Sequence, residues 1–290
     1  MELKHIATHT GRLSAFLREE MQLSSGLMNR LKWQDRLFVN GIPVHTDYPV
    51  QPGDVITVPL DEPEPDYPAQ MGELTVLYED DHLLAVDKPA GMLVHPSHAQ
   101  FTGTLANFVL GYYQKTGQHS AFHPLTRLDR DTYGVVLLAK NAHIHALLGR
   151  GKIQKTYHAL VYGQLQQESG VIDAPIMRRP LPSLLRQVHP EGKPSVSSYR
   201  LLETGDGVSK LALQPITGRT HQLRVHMASI GHPLAGDWLY GTEDPALIAR
   251  PALHSFALTL THPVTEEFLH LTAPLPEDMI RLFPKEHTIL

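Results

Sequence analysis

Over residues 1–60 the apolar positions follow first a helical and then an extended rhythm. Leu13, Phe16, Leu17 and Met21 recur at helical spacing and leave Arg12, Arg18, Glu19 and Glu20 for the polar side. Leu27 to Leu31 predicts a second short helix. Phe38-Val39-Asn40-Gly41-Ile42-Pro43-Val44 reads as strand, Asn-Gly turn and strand. Tyr48 to Val58 adds a turn and a last strand. The run Asp61-Glu62-Pro63-Glu64-Pro65-Asp66-Tyr67-Pro68 suits neither a helix nor a central strand and predicts a semi-rigid extended linker. The chain thus divides into residues 1–60, a linker over 61–71 and a larger unit over 72–290.

In the larger unit strand signals dominate. Leu74–Tyr78 and Leu83–Asp87 flank an acidic turn, and Thr104 to Lys115 is predicted helical with Leu105, Phe108, Val109 and Tyr112 on one face. Val135–Ala139 is an apolar strand, followed by a short helix from about Ala142 to Gly149. Lys155–Tyr162 alternates as a strand does, residues 164–194 are loop-rich, and Ser197–Glu203 pairs with Ser209–Pro215 around Gly205-Asp206-Gly207. A helix is predicted from near Thr220, with Leu223, Met227 and Ile230 at helical spacing, before Gly231 and Pro233 end it. Leu253–Leu260 and Phe268–Leu271 supply two more strands. Strands joined mostly by turns, with helices inserted irregularly, predict an α+β fold on a mixed, mostly antiparallel sheet.

Composition narrows the function classes. At 290 residues the chain accommodates a large core and a small companion unit, and 42% apolar with 19% charged residues excludes disordered and fibrous classes. No apolar run approaches the roughly 20 residues that cross a bilayer. The start, Met1 to His5, lacks a signal-peptide pattern, so a cytoplasmic protein with no membrane partner is expected. The absence of cysteine removes disulfides, thiol nucleophiles and thiolate metal sites. A net charge of −5 argues against indiscriminate coating of nucleic acid but leaves room for a local basic groove.

One stretch stands out chemically: His123-Pro124-Leu125-Thr126-Arg127-Leu128-Asp129-Arg130-Asp131-Thr132-Tyr133-Gly134, which feeds the strand at Val135. A carboxylate meeting a guanidinium stays ionised, so Asp129 is either a nucleophile or a structural counter-ion, and spacing leaves both open. In an extended loop Arg127 and Asp129 project to one side while Leu128 faces inward. Arg219, at the predicted start of a helix, can hold Asp129 by a bidentate pair if that helix packs beside the loop. No glycine-rich phosphate loop follows a strand, which leaves a nucleotide cofactor without support, and there is no Gly-x-Ser-x-Gly elbow. The 19 histidines raise a metal reading. His221 and His226 fall on different faces of a helix, His143 and His145 also diverge, and no metal site is expected. Most histidines are read as surface or supporting groups.

Motif order decides between the readings. Arg127-Leu128-Asp129-Arg130-Asp131-Thr132 followed by Gly134 resembles the aspartate motif of RluA-type pseudouridine synthases. Asp87 to Pro96, Lys155 to Gly163, Thr217 to Asp237 and Ala252 to Ser255 resemble the family's other motifs, in family order, over nearly all of residues 72–290. The helices and hairpin of residues 1–60 resemble the small RNA-binding domain of ribosomal protein S-four, with Arg12, Arg30, Lys32 and Arg36 matching its basic helical face; a purely structural module is the alternative there.

The resemblance implies an RNA pseudouridine synthase that needs no cofactor, since uracil is detached, turned and rejoined through carbon. It implies Asp129 as the essential carboxylate, Tyr157 against the target uracil, Arg219 pairing with Asp129, and Arg127 filling the gap left by an extruded uridine. Leu128, Val135, Val136 and Leu253 are candidates to line or back the uracil pocket, with a plain core role the preferred reading for Val135 and Val136. The implied partner is structured RNA, ribosomal first and transfer RNA second, bound by a monomer. The rival readings are a catalytically silent RNA-binding paralogue and a metal-dependent hydrolase using Asp129. Two positions depart from the family pattern: Thr126 stands where it usually has histidine and Tyr133 where it usually has serine, and the Tyr133 phenol suits either stacking on a base or covering the core.

Overall fold

The computed structural model describes residues 2–60, 65–149, 152–180, 183 and 185–282. Residues 2–60 build their own core, in which Leu13, Phe16, Leu17 and Met21 are all buried. Their helix is a short turn over Leu13–Ala15 that widens into a π-type turn over Phe16–Glu20, and a second helix spans Ser25–Trp33. The Asn-Gly turn forms as predicted: Asn40 and Gly41 take φ of 51° and 78° between Phe38–Val39 and Ile42–Pro43, the twist that a tight hairpin requires. A strand over Glu2–Ile6 that the pattern did not predict pairs antiparallel with Val55–Pro59. Its residues alternate between exposed and half-buried, so hydrogen bonding to a neighbour holds it rather than an apolar face.

The expected linker falls partly outside the described residues, at Asp61–Glu64. Further on the chain is anchored: Asn107 donates from Nδ2 to the Pro68 carbonyl at 2.8 Å, and the Gln70 amide donates to the Asn107 carbonyl at 2.9 Å. Asn107 sits in the first turn of the helix Leu105–Lys115, which Thr104 caps. That helix buries Leu105, Val109 and Tyr113, while the predicted Phe108 and Tyr112 lie at the margin. The apolar stripe is therefore rotated, because the chain crossing at Gln70 covers Gly111 and widens the buried face.

The larger unit is a ten-stranded sheet with short helices on its faces. Its strands run in the order Ser169–Asp173, Val196–Thr204, Val208–Pro215, Gln154–Tyr162, Leu253–Thr261, Tyr133–Ala139, Leu83–Lys88 and Thr75–Glu79. Phe268–Thr272 and His123–Pro124 pair beside this path. All pairings are antiparallel except one, where Tyr133 and Gly134 run parallel to His254 and Ser255. This is the mixed, mostly antiparallel α+β sheet that the turn-linked strands predict. The loop-rich segment 164–194 also holds three short strands that the pattern did not predict, Ser169–Asp173, Ile176–Arg178 and Arg186–Val188.

Alternation explains the layering. Along Tyr133–Ala139, Val135, Leu137 and Ala139 pack with the helix Ala142–Leu148, while Val136 and Leu138 pack with the helix Leu105–Lys115. Both faces are buried, which is why the sequence reads as a continuous apolar run. Val135 and Val136 are thus core residues on opposite faces. Of the 19 histidines, His143, His158, His226, His254 and His262 are buried.

Candidate active site

Three elements converge where the parallel pair begins. The segment from His123 to Tyr133 is pinned to its own strand: the Leu125 amide donates to the Leu137 carbonyl at 2.8 Å, and the buried Thr126 hydroxyl accepts the Leu137 amide at 3.0 Å. Leu128 then wedges between two apolar clusters, one under the helix Leu105–Lys115 and one containing Tyr157 and Leu253. With Leu128 turned inward, Asp129 turns out, its side chain 30% exposed. Gly134 allows this approach, with φ 113° and an ideal Cβ only 2.2 Å from the Ser255 carbonyl oxygen, so no side chain fits.

The fully buried Lys88 holds the loop from behind. Its ammonium donates to the carbonyls of Pro89, Met92 and Arg130 at 2.8, 2.9 and 3.0 Å, tying the Asp87–Pro96 motif to the aspartate loop. Burial pushes Lys88 down to about 8, against the pull of Asp131 and Asp129.

The guanidinium that reaches Asp129 is that of Arg224, not Arg219. The helix spans Gln222–Ser229, so Arg219 lies before it, exposed, with its Nε donating to the Pro194 carbonyl at 3.2 Å. Arg224 is buried one turn into that helix. It donates from Nε and Nη2 to the two oxygens of fully buried Asp237, both at 2.7 Å, and presents Nη1 to Asp129 Oδ2 at 3.4 Å. Burial opposes its charge, but Asp237 and then Asp129 outweigh burial and hold Arg224 protonated. The amides of Leu239 and Tyr240 also donate to Asp237 Oδ1, at 3.0 and 3.3 Å, which fixes that carboxylate and through it the fork.

Tyr157 lies on Gln154–Tyr162, opposite Ser255 and Leu213, and is 7% exposed. Burial, and then the Asp129 charge, push its hydroxyl up, against a hydrogen bond with Ser255, so it is a neutral phenol at neutral pH. Leu253 packs in the same cluster. Arg127 is exposed beside the loop, and its charge bears on His95 and on Lys155, both of which burial lowers first. Lys155 shares the Tyr157 face of its strand. Tyr133, read from sequence as a base-stacking or core-covering group, is itself covered: the Arg250 guanidinium lies 4.6 Å from its ring and pairs with Asp278 at 2.7 Å. Arg12, Arg30 and Lys32 are exposed in the first unit and Arg36 is half-buried, all distant in sequence from this site. Among the described residues no group of three or more histidine, aspartate or glutamate side chains is arranged to hold a metal.

Sequence reasoning missed Arg224, Asp237, His221 and Lys88. Each lies within a quoted motif, so the signal was present, but only packing distinguishes which motif residue touches Asp129.

Comparison with known proteins shows the family. Residues 82–229 match the family model described as RNA pseudouridylate synthase. The chain is 38% identical over 275 residues to an uncharacterized RNA pseudouridine synthase of Bacillus subtilis, YjbO, covering 92% of this chain and 97% of that one. It is 41% identical over 233 residues to ribosomal large subunit pseudouridine synthase D of Nitrosomonas europaea, covering 76% and 67%. Among solved structures, human RNA pseudouridylate synthase domain containing 1 superposes with a TM-score of 0.58 at 28% identity, covering 71% of this chain and 85% of that one. The chain therefore belongs to the RNA pseudouridylate synthase family and is an RNA pseudouridine synthase, an isomerase acting on uridine.

Proposed function

We propose that this enzyme converts specific uridines of structured RNA to pseudouridine through Asp129, without a cofactor, after drawing the target nucleotide out of its stack. The observation that carries the reading is the Asp237–Arg224–Asp129 chain. A buried fork is fixed by one carboxylate and aims its remaining donor at a second, partly exposed carboxylate beside a buried tyrosine. A carboxylate so held keeps its direction, as a nucleophile at the ribose or a base toward its neighbouring proton requires.

The bond from ribose to the ring nitrogen breaks, the uracil turns, and a new bond forms to ring carbon five, whose proton leaves while the nitrogen gains one. Tyr157, as a neutral phenol packed with Leu253, is suited to hold the free base rather than to accept its proton. Arg127, with Lys155 alongside, presents positive charge to the RNA backbone at the mouth and fills the vacated stack. The relative named for the ribosomal large subunit supports ribosomal RNA as the substrate. In the first unit, Arg12, Arg30, Lys32 and Arg36 bind RNA, and Trp33, 84% exposed on the same helix as Arg30 and Lys32, offers a ring for stacking.

The test is release of tritium from RNA labelled at ring carbon five of uridine, prepared from cells lacking the gene. Asp129→Asn is expected to abolish release by on the order of 10³-fold or more, while a chelator leaves the wild-type rate unchanged. Wild-type turnover in the Asn variant would remove Asp129 from the chemistry.

A further inference from the structure

Behind Asp129 stands a pair of side chains with no part in the reaction so far. His221 precedes the helix Gln222–Ser229 with φ 56°, the left-handed region that side chains other than glycine rarely enter. Its carbonyl accepts the Val225 amide at 2.9 Å, so the residue starts the helix and its ring is turned inward, 18% exposed. On one side His221 Nδ1 lies 2.7 Å from the Tyr240 hydroxyl. On the other, Nε2 lies 3.9 Å from Asp129 Oδ2.

The tautomer follows from what each end meets. The Tyr240 oxygen already accepts the Arg186 amide at 2.9 Å, which leaves its own proton to donate to Nδ1. A proton on Nδ1 instead would turn the bare lone pair of Nε2 toward the Asp129 carboxylate. The neutral ring therefore carries its proton on Nε2. Burial pushes His221 below its ordinary value; Asp129 and Asp237 oppose this, while Arg224 and Arg186 reinforce it. An imidazolium would neutralise the carboxylate it faces, whereas a neutral ring orients it and leaves its charge intact.

The two oxygens of Asp129 are thereby distinguished. Oδ2 has Arg224 Nη1 at 3.4 Å and His221 Nε2 at 3.9 Å, while among the described residues no protein donor is hydrogen-bonded to Oδ1. We propose that His221 is a positioning residue: its Nε2–H, set by Tyr240, joins Arg224 in anchoring Oδ2 and leaves Oδ1 as the oxygen that meets the substrate. This rests on Asp129 being the reacting carboxylate. The 3.9 Å separation exceeds a hydrogen bond, and catalytic hydrogen bonds that are long in a free enzyme often tighten only once substrate is bound.

Two substitutions separate this role from a backbone one. The glutamine amide reaches the position of Nε2, the asparagine amide only that of Nδ1, whereas asparagine tolerates the left-handed backbone better. A purely structural role ranks His221→Asn above His221→Gln, and a donor role reverses the order. In the tritium assay on uridine-labelled RNA, His221→Gln is expected to keep kcat within about 5-fold. His221→Asn is expected to lose about 10- to 100-fold in kcat at unchanged KM, the range set by a hydrogen bond to a charged group. Equal rates, or a faster Asn variant, would overturn the proposal. Tyr240→Phe leaves the His221 backbone untouched and frees Nδ1 to take a proton, so the acidic limb of its kcat profile is expected to move to higher pH. Nitrogen-15 spectra of the free protein, assigned by the signal lost in His221→Gln, are expected to place the wild-type proton on Nε2. A proton on Nδ1 overturns the proposal even if no RNA is turned over. Wild-type tritium release from Asp129→Asn, with the Nε2 proton in place, would instead remove Asp129 as the reacting group, and with it the assignment of Oδ1.

Discussion

At the scale of single residues, the site depends on which of several arginines is buried. Arg219 and Arg224 lie in one motif, and a helix placed two residues too early puts Arg219 at its start. Packing selects Arg224, because the first two turns of the helix are covered all round, with Gln222 through Met227 buried. A guanidinium there persists only with a partner, and fully buried Asp237 supplies it. Removing that partner leaves a buried cation whose remaining anion is Asp129. Asp237→Ala is expected to cost about 3 to 5 kcal/mol of stability and to lower kcat more than 10-fold by letting the fork swing. Urea denaturation and tritium release measure the two effects. A variant with full activity would mean that Asp129 needs no fixed fork.

At the scale of elements, the parallel junction between Tyr133–Ala139 and Leu253–Thr261 brings the aspartate loop beside the strand facing Tyr157. Gly134 sets how closely these strands approach. A methyl group there meets the Ser255 carbonyl at 2.2 Å with φ at 113°, so the strands separate or the loop refolds. Gly134→Ala is expected to destabilise by about 3 kcal/mol or more, well above the usual surface substitution. It should also lose activity in proportion to the displacement of Asp129 from Tyr157. Chemical denaturation together with the tritium assay checks both, and wild-type stability would show that the junction yields at little cost. The glycine is legible in the sequence as part of the motif, but its partner, about 120 residues downstream, is not.

At the scale of the whole molecule, the buried histidines set the acid limit of the fold. Burial pushes His254 down to about 4, and lowers His82, His143 and His226 in the same direction. Their ordinary value, which the unfolded chain regains, is near 6.5. Above that pH both states are neutral and the stability is complete. Between pH 6.5 and 4 the unfolded chain binds protons that the folded chain does not, so stability falls as pH falls. For His254 alone the loss across this window is on the order of 3 kcal/mol. Urea midpoints are expected to drop steadily from pH 7 to pH 5, with a shallower fall in His254→Gln. A flat profile would mean that the buried rings are protonated without opening the fold.

What the chain determined by itself is local. Alternation placed most strands of the larger sheet, the Asn-Gly pair set the hairpin, and the ordered motifs pointed to Asp129, Tyr157 and the family, because period-two patterning, turn chemistry and motif residues are properties of neighbours in sequence. It could not show that Glu2–Ile6 is a strand, since pairing with Val55–Pro59 holds a segment with no buried face of its own. Nor could it choose Arg224 over Arg219, reveal Lys88 beneath the loop, or turn Tyr133 beneath Arg250. Those outcomes depend on which charges become buried and which partners satisfy them, and burial is decided only when distant segments meet.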